Sequence, residues 1–496
     1  MSAYQDLESR FRRRALLGEA MAILHWDNAT TMPPGAAEGR AEQITALTLE
    51  SQALLTDPDV AGLLDDAEAA ADAADPWRAA NLGRMRRAWQ HANAVPPDLV
   101  AALTRAGSAC EMVWREARQA DDFPRLQPYL EKVVELTRES AAARADALDC
   151  SAYDALLDQY EPGGNAARID ALFADLQAFL PEFLGKVLDA QAGRPEPIMP
   201  DGPFPVDAQR DLGERLMRVL GFDFDQGRLD VSHHPFTGGV VDDVRITTRY
   251  SEDDFTQSLM GTLHETGHAL YEMGLPRDWR YQPVGEAGGM ALHESQSLLI
   301  EMQVCRGPHF LDYAAPLMRE AFGGSGPAWE TDNLARLYAK VARGLIRVDA
   351  DEVTYPLHVM LRYRLERAIL SCDLAVKDLP GAWNDAMAEL VGIRPPDDRD
   401  GCMQDIHWMD GAFGYFPTYT LGALAAAQLF AAATAQAPDI LPGISRGDFG
   451  PLLGWLRDNV HSHGRRFDTD ALLAEVTGKP LDTAAFKAHL QARYFD

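Results

Sequence analysis

Helical periodicity constrains this chain more than any other feature. Apolar residues recur three and four positions apart across 40–75, 98–118, 126–147, 166–192 and 206–220, with charged residues between them. Such spacing stripes one face of a helix and favours its burial. Proline and glycine punctuate the runs at MPPG (32–35), EPGG (161–164) and GRPEPIMPDGPFP (193–205), where a missing N–H or an unrestricted φ ends a helix. The last is the most linker-like segment, and reads equally as a domain boundary or as a proline-rich crossing between helices. One stretch departs from the pattern. GRLDVSHHPFTGGVVDDVRITTRY (227–250) is rich in β-branched residues and glycine, which predicts a short hairpin or small sheet. An exposed edge there could hold an extended peptide by backbone pairing. Helices return after residue 329, with a dense aromatic and glycine segment, QDIHWMDGAFGYFPTYTLG, at 404–422. The expected fold class is mainly α with a small β element.

At 496 residues the chain exceeds what one compact core usually serves, so two lobes or subdomains are expected. A formal net charge of −29 argues against a nucleic-acid partner, because phosphate binding needs a basic surface. Five cysteines at 110, 150, 305, 372 and 402 contain no CxxC pair, a pattern that suits reduced thiols and gives no disulfide framework. The first residues, MSAYQDLESRFRRRALLGEAMAIL, read as a helix rather than a secretion signal. No apolar run is long enough to span a membrane, so a cytoplasmic protein without a membrane partner is expected.

The chemistry concentrates in GTLHETGHALYEMGL, residues 261–275. On a helix, His264 and His268 lie one turn apart on the same face, so both imidazoles can reach one ion. Glu265 points about a third of a turn away and can meet a metal-activated water as general base. Gly267 costs roughly 1 kcal/mol against alanine inside a helix, and is expected to admit another backbone at close range. A catalytic zinc takes three protein ligands and keeps a position open. The next candidate segment is GGMALHESQSLLIEMQV (288–304), where Glu294 falls 26 residues after His268, room for a loop and an antiparallel return. Glu286 sits in that loop and Glu301 two turns further along. Glu294, flanked by His293, Ser295 and Gln296, is the preferred third ligand, and on spacing alone a solvated helix carboxylate is an equal alternative. Two imidazoles and one carboxylate would leave the site net positive, and the reaction class is amide hydrolysis.

HETGH (264–268) followed by HESQS (293–297) resembles the carboxypeptidase Taq family of zinc metallocarboxypeptidases. Further motifs of that family follow in order: HPF at 234–236, DVRIT at 243–247, IRVDAD at 346–351 and GCMQDIHW at 401–408. HWDNATTMPPGAAEGRAEQ (25–43) and FGYFPTYTLG (413–422) are similar as well, so the resemblance spans the chain. It implies a single metallocarboxypeptidase domain over 1–496, two-lobed and mostly helical around a long groove, similar to neurolysin and angiotensin-converting enzyme. It also implies a homodimer that removes single C-terminal residues from peptides with broad specificity, using one zinc per chain with cobalt as a substitute. Carried over by position, His264, His268 and Glu294 are the metal ligands, Glu265 is the general base, and His234 joins the substrate-binding set.

Cutting only at a C-terminus requires a cation to hold the free carboxylate, a task that suits arginine's planar fork. Arg347 is preferred for that role, with Arg245 closing the groove and limiting substrate length. An internal salt bridge is the competing reading for either, with Asp243, Asp349 and Asp351 close in sequence. A tetrahedral oxyanion needs a further donor; His407, Tyr415 and Tyr419 are the candidates, with Gln404 and Asp405 as support. His461 and His463 line the groove or cap a helix. Two alternatives stay open: a metallo-endopeptidase or dipeptidyl carboxypeptidase of the same wider fold, and a non-enzymatic peptide-binding protein. The intact Glu265 and ligand set speak against the second.

Overall fold

The computed structural model describes residues 2–72, 74–232 and 235–495. The chain is mainly helical, as its periodicity predicts, and forms two compact units, each assembled from three segments. The first comprises Met1–Ala92, Pro197–Tyr338 and Gly422–Leu481; the second comprises Asn93–Glu196, Ala339–Leu421 and Asp482–Asp496. The proline-rich segment 193–205 is the extended crossing between helices Ala166–Ala192 and Val206–Leu220, and the chain passes from the second unit to the first within it. Among the described residues, no helix is long and apolar enough to cross a membrane.

Most predicted helices appear within a few residues of their expected ends, which is the usual scatter of fraying termini. The exception is 40–75, which is two helices, Ala37–Thr56 and Asp59–Ala69. Pro58 has no N–H to continue the first helix and pushes Asp57 into an extended conformation. Asp57 then accepts the Asp59 N–H at 2.9 Å, starting the second helix.

The β element is a three-stranded sheet of β1 (Gly227–Val231), β2 (Phe236–Val240) and β3 (Asp243–Thr248), in the order β1-β3-β2. Central β3 runs parallel to β1 and antiparallel to β2. Gly239 permits the tight β2–β3 hairpin: its φ is +88°, and a Cβ there would lie 2.1 Å from the Asp243 carbonyl oxygen. Alternation along β3 turns Val244 and Ile246 inward, onto Met217, Phe222 and Ala269. Ala269 belongs to helix Phe255–Gly274, so the sheet is packed directly on the helix that carries His264 and His268. On β2, Phe236 meets Trp26 of helix Ala3–Thr30 at 5.1 Å between ring centroids.

Helix Phe255–Gly274 is buried along most of its length. Its start is capped by Asp254, which accepts the Thr256 N–H at 2.7 Å. Phe255 stacks there on Trp329, with centroids 5.7 Å apart. Helix Met290–Leu298 crosses it where Gly267 has no side chain. A Cβ on Gly267 would sit 2.5 Å from the Gln296 carbonyl oxygen and 2.6 Å from the Ser297 Cα. That close approach accounts for a glycine in mid-helix. Both obstacles are backbone, so neither can rotate aside. Gly267→Ala is therefore expected to destabilise the fold by about 1–3 kcal/mol despite alanine's better helix propensity. Denaturant unfolding of the purified variant checks this, and an unchanged or raised midpoint would contradict it.

Candidate metal centre

The crossing at Gly267 brings Glu294 over the face that bears His264 and His268. Nε2 of His268 lies 3.3 Å from Glu294 Oε2, and Nε2 of His264 lies 3.9 Å from the same oxygen. Among the described residues these three form the group of His, Cys, Asp and Glu side chains able to hold a metal ion, with donor atoms all within 4.8 Å of one another. A tetrahedral zinc with bonds of about 2.0–2.1 Å spaces neighbouring donors by roughly 3.3 Å. The donor set and its spacing therefore fit a divalent cation. Gly422 closes the far side of Glu294: a Cβ there would lie 2.7 Å from the glutamate's own Cβ.

What stands behind the imidazoles strengthens the case. Nδ1 of His264 is 2.9 Å from Glu301 Oε2, and Arg306 Nη2 donates to Glu301 Oε1 at 2.6 Å. Glu301 lies in a π-helical stretch, Leu299–Cys305, that continues helix Met290–Leu298; such wider turns recur where a helix must re-aim a functional side chain. Nδ1 of His268 is likewise occupied, 2.7 Å from Nδ1 of His293. Both ligand candidates thus have their rear nitrogens engaged and their Nε2 atoms turned to Glu294, an arrangement found behind metal-ligating histidines.

In the metal-free chain a proton takes the cation's place. Burial alone would depress the His264 pKa, but the Glu301 hydrogen bond and the charges of Glu294 and Glu301 outweigh it and raise it from 6.5 to about 10. Burial opposes the charge on Glu301 as well, yet Arg306 and His264 hold its pKa at about 2. Burial also works against the Glu294 carboxylate, and His268 and His264 overcome it and lower its pKa. His268, by contrast, is pushed down by burial, which favours the neutral, ligating form.

Glu265 is buried on the adjoining face. Its Oε2 lies 2.7 Å from the Thr237 hydroxyl, which also reaches the Glu265 carbonyl oxygen at 3.0 Å. Thr237 is on β2, so the sheet aims the carboxylate. Nothing in the sequence around FTGG signals that role, because it depends on strand-to-helix packing. Glu301 appears in the sequence only as a competing ligand; here it supports His264. His461 is buried, 3.1 Å through Nε2 from Gln296 Oε1, and its ring lies against Tyr271 at 5.2 Å.

Arg245, on β3 in this same unit, is spoken for. Its Nε and Nη2 grip both oxygens of Asp243 at 2.9 and 2.5 Å, a bidentate pair that balances its charge. His234 lies outside the described residues.

The remaining predicted residues gather in the second unit. Arg347 is buried, and it pairs with Asp405, Nη2 to Oδ1 at 2.8 Å, rather than with an aspartate of its own motif. Asp351 is used by the backbone instead, accepting the N–H groups of Ala342, Val353 and Thr354 at 3.0 Å each. Arg362, fully buried on helix Tyr355–Leu370, shares Asp405 through Nε at 2.6 Å. Gln404 Oε1 accepts from the Arg347 N–H at 2.9 Å and from Arg362 Nη2 at 2.6 Å. Two guanidiniums on one carboxylate leave an excess positive charge, and Arg362 was invisible to motif reading. Nε2 of His407 lies 3.1 Å from the Tyr419 hydroxyl, and Tyr415 packs its ring 5.5 Å from His407. Burial, reinforced by Arg347, lowers the His407 pKa to about 4. This imidazole is therefore neutral at pH 7.

The raised His264 pKa has two consequences of opposite sign. Its contribution to metal-free stability is full below pH 6.5 and is lost as pH rises through about 10. Metal, however, must displace that proton. Binding zinc at pH 7 should release about one proton per ion, and affinity should rise about tenfold per pH unit below the His264 pKa. Calorimetric titration in buffers of different ionisation enthalpy measures the release, and none at pH 7 would contradict this account.

Comparison with known proteins places the chain. The profile of the family described as "Carboxypeptidase Taq (M32) metallopeptidase" matches residues 6–494. The chain is 41% identical to thermostable carboxypeptidase 1 of Thermus thermophilus, covering 99% of this chain and 98% of that protein. Its structure is similar to that of Trypanosoma cruzi metallocarboxypeptidase 1, with a TM-score of 0.97 and 39% identity, covering 100% of this chain and 99% of that one. An M32 carboxypeptidase from Deinococcus radiodurans aligns with a TM-score of 0.93 at 36% identity, over 99% of this chain and 98% of that one. The chain belongs to the carboxypeptidase Taq (M32) family of metallopeptidases.

Proposed function

We propose that this chain is a zinc carboxypeptidase that releases single residues from the C-terminus of peptides with broad specificity. Family membership supports peptide hydrolysis at a chain end by a metal-dependent enzyme. The observation that carries the metal dependence is the half-buried triad of His264, His268 and Glu294. Two nitrogens and one oxygen suit zinc, with cobalt as a substitute. A divalent cation bound there supplies Lewis acidity, acidifying a water molecule and polarising the scissile carbonyl.

The chain's own residues supply the rest. Glu265, its carboxylate oriented by the Thr237 hydroxyl, takes a proton from the attacking water and returns it to the leaving amine. Arg347 is assigned to the substrate's terminal carboxylate. Both candidate arginines engage a carboxylate through Nε and Nη2, but Arg245 balances Asp243 one to one, whereas Arg347 shares Asp405 with Arg362 in a group with positive charge to spare. Arg245 then has the lesser role of limiting substrate length. His407, kept neutral, and Tyr419 or Tyr415 are assigned to the oxyanion as hydrogen-bond donors. His234 is assigned to substrate binding on its motif alone. The whole chain acts as one catalytic domain in this reading. The acidic charge and free thiols support a cytoplasmic peptidase without nucleic-acid or membrane partners, and the homodimer rests on resemblance.

One peptide offered to the zinc-loaded protein in free-acid and C-amidated forms tests the proposal, with products followed by mass spectrometry. Stepwise loss of single residues from the free acid, with the amide untouched, is expected. Internal cuts in both forms, or release of dipeptides, would replace it with the endopeptidase or dipeptidyl carboxypeptidase reading. Arg347→Lys keeps the charge but loses the planar fork. Loss of a charged hydrogen bond of about 1.5–3 kcal/mol should lower kcat/KM on the free acid roughly 10- to 100-fold. An unchanged value would remove Arg347 from the substrate.

A further inference from the structure

Glu272 and His293 lie outside the metal triad, and the mechanism above does not use them. Glu272 is on helix Phe255–Gly274, one turn beyond His268; His293 immediately precedes Glu294 on helix Met290–Leu298. Nε2 of His293 is 2.8 Å from Glu272 Oε1, and its Nδ1 is 2.7 Å from Nδ1 of His268. Two imidazole nitrogens at that distance share one proton, so one donates and the other accepts.

The chemistry of the far end decides which. A carboxylate only accepts, so Glu272 requires the proton of His293 to be on Nε2. A ring with its one proton on Nε2 presents a bare Nδ1, which can only accept, so His268 must carry its proton on Nδ1. That leaves the Nε2 lone pair of His268 facing Glu294 Oε2 at 3.3 Å. Two lone pairs so placed repel unless a proton or a cation lies between them.

We propose that Glu272 and His293 are positioning residues: a carboxylate–imidazole relay that holds His268 in the one tautomer able to bind metal through Nε2. Glu301 does the same for His264 in a single step. On the His268 side the carboxylate, Glu272, meets the imidazole through a ring from the neighbouring helix. The two helices are thereby tied together beside the triad. The inference rests on the metal-binding reading, and the test separates the two.

Zinc affinity of the full-length, chelator-stripped protein would be measured by competition with a chromophoric chelator. The parent, His293→Phe, Glu272→Leu and Glu272→Gln would be compared, with metal-free melting temperature as the control for folding. Loss of such supporting partners weakens metal binding about 10- to 100-fold, and that is expected for His293→Phe and Glu272→Leu. Glu272→Gln should lose less, since the amide oxygen still accepts from Nε2. Zinc held within twofold of the parent by Glu272→Leu would overturn the relay while leaving the metal site standing. A parent that binds no zinc would overturn the metal reading, and the relay with it. If His293→Phe does not fold, nitrogen-15 NMR of the metal-free parent decides instead. A proton on Nε2 of His293 and on Nδ1 of His268 is expected, and a proton on Nδ1 of His293 would refute the assignment.

Discussion

The backbone contact at Gly267 is the constraint on which the candidate site depends. A helix surface normally keeps its neighbour at a distance of 8–10 Å between axes, set by the side chains between them. Removing the side chain at one position lets helix Met290–Leu298 settle directly on helix Phe255–Gly274, with the Gln296 carbonyl and Ser297 Cα against the bare Cα. Only then does Glu294, two and three residues earlier, come within reach of both imidazoles. Gly422 answers from the other side, where any side chain would displace the glutamate.

Charge imbalance has opposite sign in the two units. In the first, buried carboxylates surround two imidazoles, and the arrangement is at rest only with a proton or a cation inside it. In the second, Arg347 and Arg362 share Asp405, so the buried group is one positive charge in excess. Burial makes both imbalances matter, because an uncompensated charge away from water is costly. A group that could hold a cation and a group that favours an anion are what the proposed carboxypeptidase reaction requires.

Much of this was legible beforehand. The helices follow from apolar spacing, and the small sheet from β-branched residues broken by glycine. His264, Glu265 and His268 follow from helical geometry alone. Glu294 is different: spacing allowed a ligand and a solvated carboxylate equally, and the crossing of two helices brings it beside both imidazoles, half-buried. The run 40–75 hid a break because periodicity survives across Pro58 while the hydrogen-bond ladder does not. Thr237, Glu301, Glu272 with His293, and Arg362 escaped as supporting residues. Each acts on a partner in another element, at separations from 21 to 43 residues, and nothing local marks a threonine or a glutamate as the one that will be aimed at a functional group.

The sequence by itself determined the class of fold and the candidate metal-binding face, since these rest on short-range rules: one helical turn between histidines, one residue to the proposed base, proline and glycine where helices stop. Only the tertiary structure decided how each ring is turned, which carboxylate stands behind it and which arginine keeps charge in reserve. The competing motif aspartates show why. Asp243 binds the arginine two residues away, but Asp351, four residues from Arg347, is drawn to three backbone N–H groups while Asp405 takes the guanidinium. A hydrogen bond or ion pair forms with whatever donor folding delivers within about 3 Å, and proximity along the chain does not measure that distance.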